Sequence, residues 1–241
     1  FAFFIPNNKK IYTDFFIKKR NSEKFSNKKK YMAKITSWTG GKKPFAKVIR
    51  SIGDIGSNDA EIHTIMHDFN LQYKFSEEVE KETEKLNDII SEKEIGKRKD
   101  LRKEISFTID PDDAKDFDDA ISVKKINTNT FEIGVHIADV SHYVKPNTEL
   151  DKDAIKRGCS VYLADRVIPM LPEKLANKLC SLRPNEEKLC FSIVFIMNVS
   201  GEIISDWLGK TIIKSKKRFT YNEAQNVLNS KQGEFFEELS T

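Results

Sequence analysis

Residues 108–121 read TIDPDDAKDFDDAI, and six of the ten residues from Asp110 to Asp119 are aspartates, offset within the stretch only by Lys115. The 241-residue chain as a whole nevertheless carries a net charge of +4. Carboxylates gathered this closely repel one another, so a fold that holds them must supply protons, basic groups or metal ions. The flanking TI and AISV have strand character and would hold the loop in place. Asp110 closes a short β pattern and Pro111 biases it toward extended backbone, which puts its carboxylate at a strand end, where loops carry chemistry. Asp116, Asp118 and Asp119 follow closely. Short acidic ligands converging on one point suit hard cations, magnesium above all. Two such ions roughly 4 Å apart form the clamp used in phosphodiester cleavage. An EF-hand fails by position: counting from Asp110, the fifth residue is Ala114, the sixth is Lys115 where Gly is required, and the twelfth is Ile121 where Glu is required. A solvated acidic turn and a calcium-responsive interaction protein stand as the other readings of this loop.

Outward from the loop, alternating strand and helix patterns extend over residues 105–241. FTI, AISV (120–123) and FEIGVHIA (131–138) predict strands, and Leu150 to Tyr162 and Glu173 to Leu182 predict helices. LCFSIVFIMNV and EIISDWLGKTII predict a hairpin about Ser200 and Gly201, with a last helix over Tyr221 to Ser230. This is an α/β or α+β domain. Ahead of it, Ser76 to Glu104 is rich in helix formers with Ser76 placed as an N-cap, so residues 54–104 form a helical connector.

Residues 1–53 carry FAFFIP, IYTDFFI, YMAKIT and FAKVIRSI, short strand patterns separated by NNKK, KKRNSEKFSNKKK and TGGKKP. They predict a small OB-type β-barrel. Such barrels bind nucleic acid through a basic surface and exposed aromatics, here Phe1, Phe3, Phe4, Phe15 and Phe16. Strand alternation commits at least half of these rings to the core. Residues 1–54 hold 14 basic and 3 acidic side chains, against 9 and 13 in residues 55–104 and 18 and 21 in the rest. A basic module of this kind suits a polyanion, because lysines and arginines that neutralise phosphates release condensed counterions.

Hydrophobic residues make up 39% of the chain, and no apolar run approaches a membrane span. Cys159, Cys180 and Cys190 are too widely spaced for a CxxC motif, and their odd number does not suggest a disulfide framework. The expectation is a cytoplasmic protein with no membrane contact and no disulfide-linked partner. The opening FAFFIPNNKK lacks an initiator Met, a basic leader and a small-residue cleavage site, as expected of a piece of a longer protein.

The loop stands in order with VHIADVSHYV (135–144), YLADRVIPMLP (162–172) and LCSLRPNEEKLCFS (179–192), and together these resemble the catalytic domain of the RNB family of exoribonucleases, in its ribonuclease R branch. KITSWTGGKKPFAKVI resembles the second cold-shock domain that precedes it in that family; KKKY (28–31) departs from the pattern, where a Gly-Asp turn is usual. The fold implied is multi-domain: a cold-shock β-barrel (1–53), the helical connector (54–104) and the N-terminal part of an α+β RNB domain (105–241). The resemblance implies processive hydrolysis of single-stranded RNA from its 3′ end to nucleoside 5′-monophosphates, with Mg2+ bound by the active-site aspartates Asp110, Asp116, Asp118 and Asp119. It further implies Tyr162 as the aromatic stacked on the 3′-terminal nucleotide and Tyr221 as a second active-site tyrosine. Arg183 and the cluster Lys210, Lys214, Lys216, Lys217 and Arg218 are candidates for RNA phosphates. Family members extend well past the position of Thr241, so the chain alone is expected to be weakly active or inactive. A non-catalytic RNA-binding module is the alternative. His136 in its strand pattern reads as a hydrogen-bonded core histidine, and His63 and His67 have the spacing of a zinc helix without its Glu.

Overall fold

Short strands bounded by turn residues build the first sheet: β1 (Ala2–Phe4), β2 (Phe15–Ile17), β3 (Lys29–Ser37) and β4 (Phe45–Asp54), in the order β1-β2-β4-β3. The computed structural model describes residues 2–18, 25–38 and 44–241. Phe1 and most of the basic segments at 19–24 and 39–43 therefore lie outside the described residues. Alternation sorts the aromatics as expected. Phe15, Ile17 and Ala46 are buried with Phe4 packed against them. Phe3 faces out, 57% exposed, with its ring 4.8 Å from that of Phe16, which in turn lies 5.8 Å from Phe45.

The chain divides into two units, one reaching Tyr73 and including Leu163–Asp165, the other holding Lys74–Tyr162 and Arg166–Thr241. The first unit thus runs past the boundary expected at residue 53. The cause is helix α1 (Asn58–Asp68), capped by Ser57 and seated on β4, where a Cβ on Gly53 would meet that of Ala60 at 2.9 Å. In the second unit the connector is helical only in pieces, α2 (Glu77–Glu84) and α3 (Glu92–Ile95). Ser76 and Ser91 cap them by accepting from the amides of Val79 and Glu94.

The second unit is organised on a seven-stranded mixed sheet, β13-β6-β7-β8-β11-β12-β5. Its strands are β5 (Lys99–Asp100), β6 (Ser106–Asp110), β7 (Asp119–Asn127), β8 (Thr130–Ala138), β11 (Glu187–Asn198), β12 (Ile203–Lys214) and β13 (Lys217–Thr220). β9 (Val161–Tyr162) and β10 (Val167–Ile168) form a separate ribbon. The β11–β12 hairpin turns at Gly201, with φ of 79°.

Two predicted helices change form. Instead of spanning Leu150 to Tyr162, helix α5 covers Glu149–Arg157, because Gly158 takes φ of 76° and ends it, leaving Tyr162 on a strand. Instead of a helix over Glu173 to Leu182 there is a π-helical turn, Lys174–Leu179, closed by Cys180 N–H on Leu175 O at 2.9 Å. Helix α6 (Tyr221–Ser230) forms as expected, with the capping box of Thr220 and Glu223, and a short helix α7 (Phe236–Ser240) follows it.

Leu150, Leu175, Leu179, Leu182, Val194 and Ile213 form the main core with Ala120, Ala138 and Cys190. On that same sheet face, two residues along each strand, a buried polar row crosses four strands. His136 Nε2 lies 2.9 Å from Ser122 Oγ and its Nδ1 lies 2.8 Å from Ser192 Oγ, which is 2.5 Å from Thr211 Oγ1. Burial pushes the His136 imidazole down to about 4, so it is neutral near pH 7. It is the hydrogen-bonded core histidine its strand pattern implied. Gly134 makes room for it: a Cβ there would sit 2.4 Å from Ser122 Oγ and 2.8 Å from the imidazole.

Candidate active site

The acidic loop leaves β6 at Asp110 and re-enters the sheet at Asp119 on β7. Its path is set by bonds from three other segments. Ser181 Oγ, in a residue wholly buried, accepts from Phe117 N–H at 3.1 Å and donates to Lys115 O at 2.9 Å. Leu182 N–H donates to Phe117 O at 2.8 Å, and Ala138 N–H donates to Asp118 O at 2.9 Å. Arg218, on β13, donates to Pro111 O and holds its guanidinium 5.6 Å from the Phe117 ring.

The scaffold behind these bonds is itself polar. Arg98, buried, donates to Asp139 Oδ2 at 2.7 Å, to Glu94 Oε1 at 2.8 Å, and to the carbonyls of Cys190 and Thr211 at 3.2 and 3.4 Å. Asp139 follows Ala138 and caps helix α4 (Val140–Tyr143) by accepting from His142 N–H at 3.1 Å. Burial pushes the Asp139 carboxyl up, but Ser141 and Arg98 outweigh it and hold it below the usual carboxylate range.

The electrostatics of the loop run the other way. Burial raises Asp110, and the charges of Asp119 and Asp116 add to the rise. The Arg218 charge offsets part of it, and the buried Thr108 hydroxyl has no hydrogen-bond partner. Asp118 is an exposed residue whose carboxyl is raised by partial loss of hydration and then by the charges of Asp116, Asp119 and Asp110. Four carboxylates thus share one field. Asp110 Oδ2 is buried without a hydrogen-bond partner, as is the Nε of Arg218. Among the described residues no three Asp, Glu, His or Cys side chains are gathered closely enough to close on an ion. The donor set still fits a hard divalent cation: all oxygen, acceptor-only when ionised, mutually repelling, with one buried lone-pair site unpartnered. Asp112 and Asp113 are exposed.

Tyr162 stands beside this cluster. Its hydroxyl donates a long bond, 3.4 Å, to Asp116 Oδ2, while the residue is 69% exposed. The Asp116 charge, followed by burial, raises the phenol. Tyr221 is 62% exposed at the start of α6, one residue past Thr220, which lies opposite Asp110 in the parallel β13–β6 register. Arg183 follows Leu182 and lies 3.5 Å from Glu186. The basic cluster on β12–β13 is mostly committed within the fold. Lys210 lies 3.9 Å from Asp139, Lys216 donates to Arg102 O at 3.3 Å, and Lys217 lies over the Phe219 ring. His63 lies 3.6 Å from Asp59 and His67 Nε2 lies 2.7 Å from Arg50, on α1 in the first unit.

Sequence reasoning assigned no role to Ser181, Ala138 or Arg98, although the first two lie inside the motifs that flag the site. It also passed over Phe45, whose place at a strand start after Pro44 was the available signal.

The RNB domain model matches residues 98–238 and a cold shock domain model matches residues 3–76. Ribonuclease R of Aquifex aeolicus is 40% identical over 224 residues, which are 92% of this chain and 32% of that protein. The structure titled Mycoplasma genitalium RNase R in complex with double-stranded RNA superposes with a TM-score of 0.85 at 30% identity, covering 95% of this chain and 41% of that one. Yeast Ssd1, described as a pseudonuclease, has the same fold, with a TM-score of 0.73 at 23% identity over 99% of this chain and 31% of its own. The chain spans about a third of the length of the curated relatives it matches.

Proposed function

The chain belongs to the RNB domain family, and from that premise we propose that it carries the cold-shock module and the aspartate-bearing part of a hydrolytic exoribonuclease. That enzyme degrades single-stranded RNA processively from the 3′ end and releases nucleoside 5′-monophosphates. The observation that carries the reading is the acidic loop: its main chain is held at Pro111, Lys115, Phe117 and Asp118 by bonds from three separate segments, with Asp110 Oδ2 buried and unpartnered. A merely solvated turn has no need of such bracing.

Asp110, Asp116, Asp118 and Asp119 are the residues that would hold Mg2+. The bound ions supply a more acidic attacking water and charge stabilisation of the leaving oxygen. The protein's own contribution is placement. Tyr162 offers an exposed ring beside Asp116, suited to a terminal base of any identity because every base has a π-face. In this reading Tyr221 and Arg183 are further contacts for the sugar-phosphate backbone. In the first unit, Phe3, Phe16 and Phe45 form a run of rings across three strands that can stack bases. Cys159, Cys180 and Cys190 are all free. No helix among the described residues is long and apolar enough to cross a membrane.

A fold shared with a pseudonuclease does not decide catalysis, so the aspartates must. The second reading, an RNA-binding module without activity, is separated by digesting 5′-labelled single-stranded RNA with Mg2+ and with EDTA, using this chain and a version extended past Thr241. The extended protein shortens RNA from the 3′ end only with Mg2+, and Asp118→Asn abolishes cleavage while leaving binding intact. Wild-type digestion by that variant would refute the assignment. The 241-residue chain alone is weakly active or inactive.

A further inference from the structure

We propose that Ser181 is a positioning residue for the acidic loop, setting the spacing of Asp116 and Asp118 through the backbone and thereby the affinity of the site for a divalent cation. Its hydroxyl holds two backbone groups that bracket Asp116: it donates to Lys115 O at 2.9 Å and accepts from Phe117 N–H at 3.1 Å. The next residue extends the clamp, since Leu182 N–H bonds Phe117 O at 2.8 Å, immediately before Asp118. Ser181 is fully buried and Cys180 and Leu182 are core residues, so the hydroxyl sits on a rigid support.

The loop needs this support. Between β6 and β7, ladder pairing is confined to Ser106–Ser122 and Phe107–Ile121, so the sheet does not determine the path of residues 111–118. The carboxylates it carries repel one another, so the main chain between them needs a fixed support. A serine hydroxyl can donate and accept at once, which alanine cannot do at either partner and cysteine does only weakly. Groups behind metal ligands typically govern about 10–100-fold in affinity.

This inference rests on the aspartate assignment, and two readouts on the 241-residue chain keep the two apart. Mn2+ uptake is followed by the EPR signal of the free ion, and hydrogen exchange is followed at the loop amides. Wild type, Ser181→Ala, Asp118→Asn and Ser192→Ala are compared. Ser192→Ala removes a buried hydroxyl from the polar row, whose partners are His136 and Thr211 and not the loop, and controls for general loss of stability. The expected result is an about 10-fold weaker Mn2+ affinity and faster exchange at residues 115–118 in Ser181→Ala, neither of which appears in Ser192→Ala. Wild-type affinity and exchange in Ser181→Ala would overturn the proposal, as would equal effects in Ser192→Ala. If Asp118→Asn takes up Mn2+ like wild type, the aspartate reading fails, while exchange still decides whether Ser181 holds the loop.

Discussion

Arg98→Met tests whether the charge behind the site is a structural necessity. The guanidinium is wholly buried, and its partner Asp139 has a side chain only 2% exposed, whereas Glu94 is 16% exposed and can turn toward water. The loss therefore falls on Asp139. Without Arg98 its carboxylate keeps Ser141 Oγ at 2.7 Å, His142 N–H at 3.1 Å and the Lys210 ammonium at 3.9 Å. Removing one member of a buried pair costs about 3–5 kcal/mol, since the other charge stays behind uncompensated. Urea unfolding followed by Trp207 fluorescence in a Trp38→Phe background reports this unit separately from the first.

The pH dependence separates an uncompensated charge from a packing defect. In the wild type the folded-state value of Asp139 is depressed. Its contribution is present above the unfolded value of about 3.9 and is lost only as pH falls through the folded value. In Arg98→Met burial prevails and raises that value, so the folded state gains from protonation and the penalty shrinks as pH falls from about 7 toward about 4. Adding Asp139→Asn recovers at least about half of the loss at neutral pH. A penalty below about 1 kcal/mol, or one constant over that pH range, would refute the argument.

In EDTA, Asp118→Asn raises the urea midpoint above wild type near neutral pH, because the raised folded-state value means stability present at low pH is lost as pH rises through it; added Mg2+ then stabilises wild type and not the variant. Gly134→Ala destabilises by about 2–4 kcal/mol in the same unfolding assay, as its Cβ displaces Ser122 Oγ and breaks the polar row. Phe3→Ala weakens binding of single-stranded RNA by about 1–3 kcal/mol without changing the slope of affinity against salt, measured by fluorescence anisotropy at several ionic strengths. For the 3′-terminal contact, Tyr162→Phe keeps RNA affinity near wild type in the extended protein, whereas Tyr162→Ala loses about 1–3 kcal/mol.

Strand periodicity was legible because it is local. The β11–β12 hairpin, the opposite facing of Phe3 and Phe4, and the buried His136 all follow from a two-residue repeat with a turn residue between. Where a helix stops was not legible, because termination depended on what followed. Gly158 ends α5 early to release Tyr162 onto a ribbon, and the Cys180 amide reaches back to Leu175, so that Ser181 and Leu182 face the loop. The extent of the first unit was hidden for a related reason: α1 is weakly amphipathic, and its attachment depends on the close approach of Gly53 and Ala60.

The site was legible as a composition and not as a mechanism of restraint. Six aspartates in ten residues announce a charge problem that only a ligand or a tight scaffold can solve. Which scaffold solves it depends on residues up to 107 positions away, from Pro111 to Arg218, and on main-chain amides that carry no sequence signature. The four motifs quoted from the sequence are therefore not four pieces of chemistry. Two of them, around Ala138 and Ser181, lend backbone and hydroxyl bonds to the loop, while the one at Tyr162 lends an aromatic ring. If the loop's shape rather than its charge is what these segments specify, then replacing a carboxylate and replacing its support should differ in kind. The Asp118 change should relieve the apo fold while abolishing cation binding. The Ser181 change should weaken binding while giving the fold nothing in return.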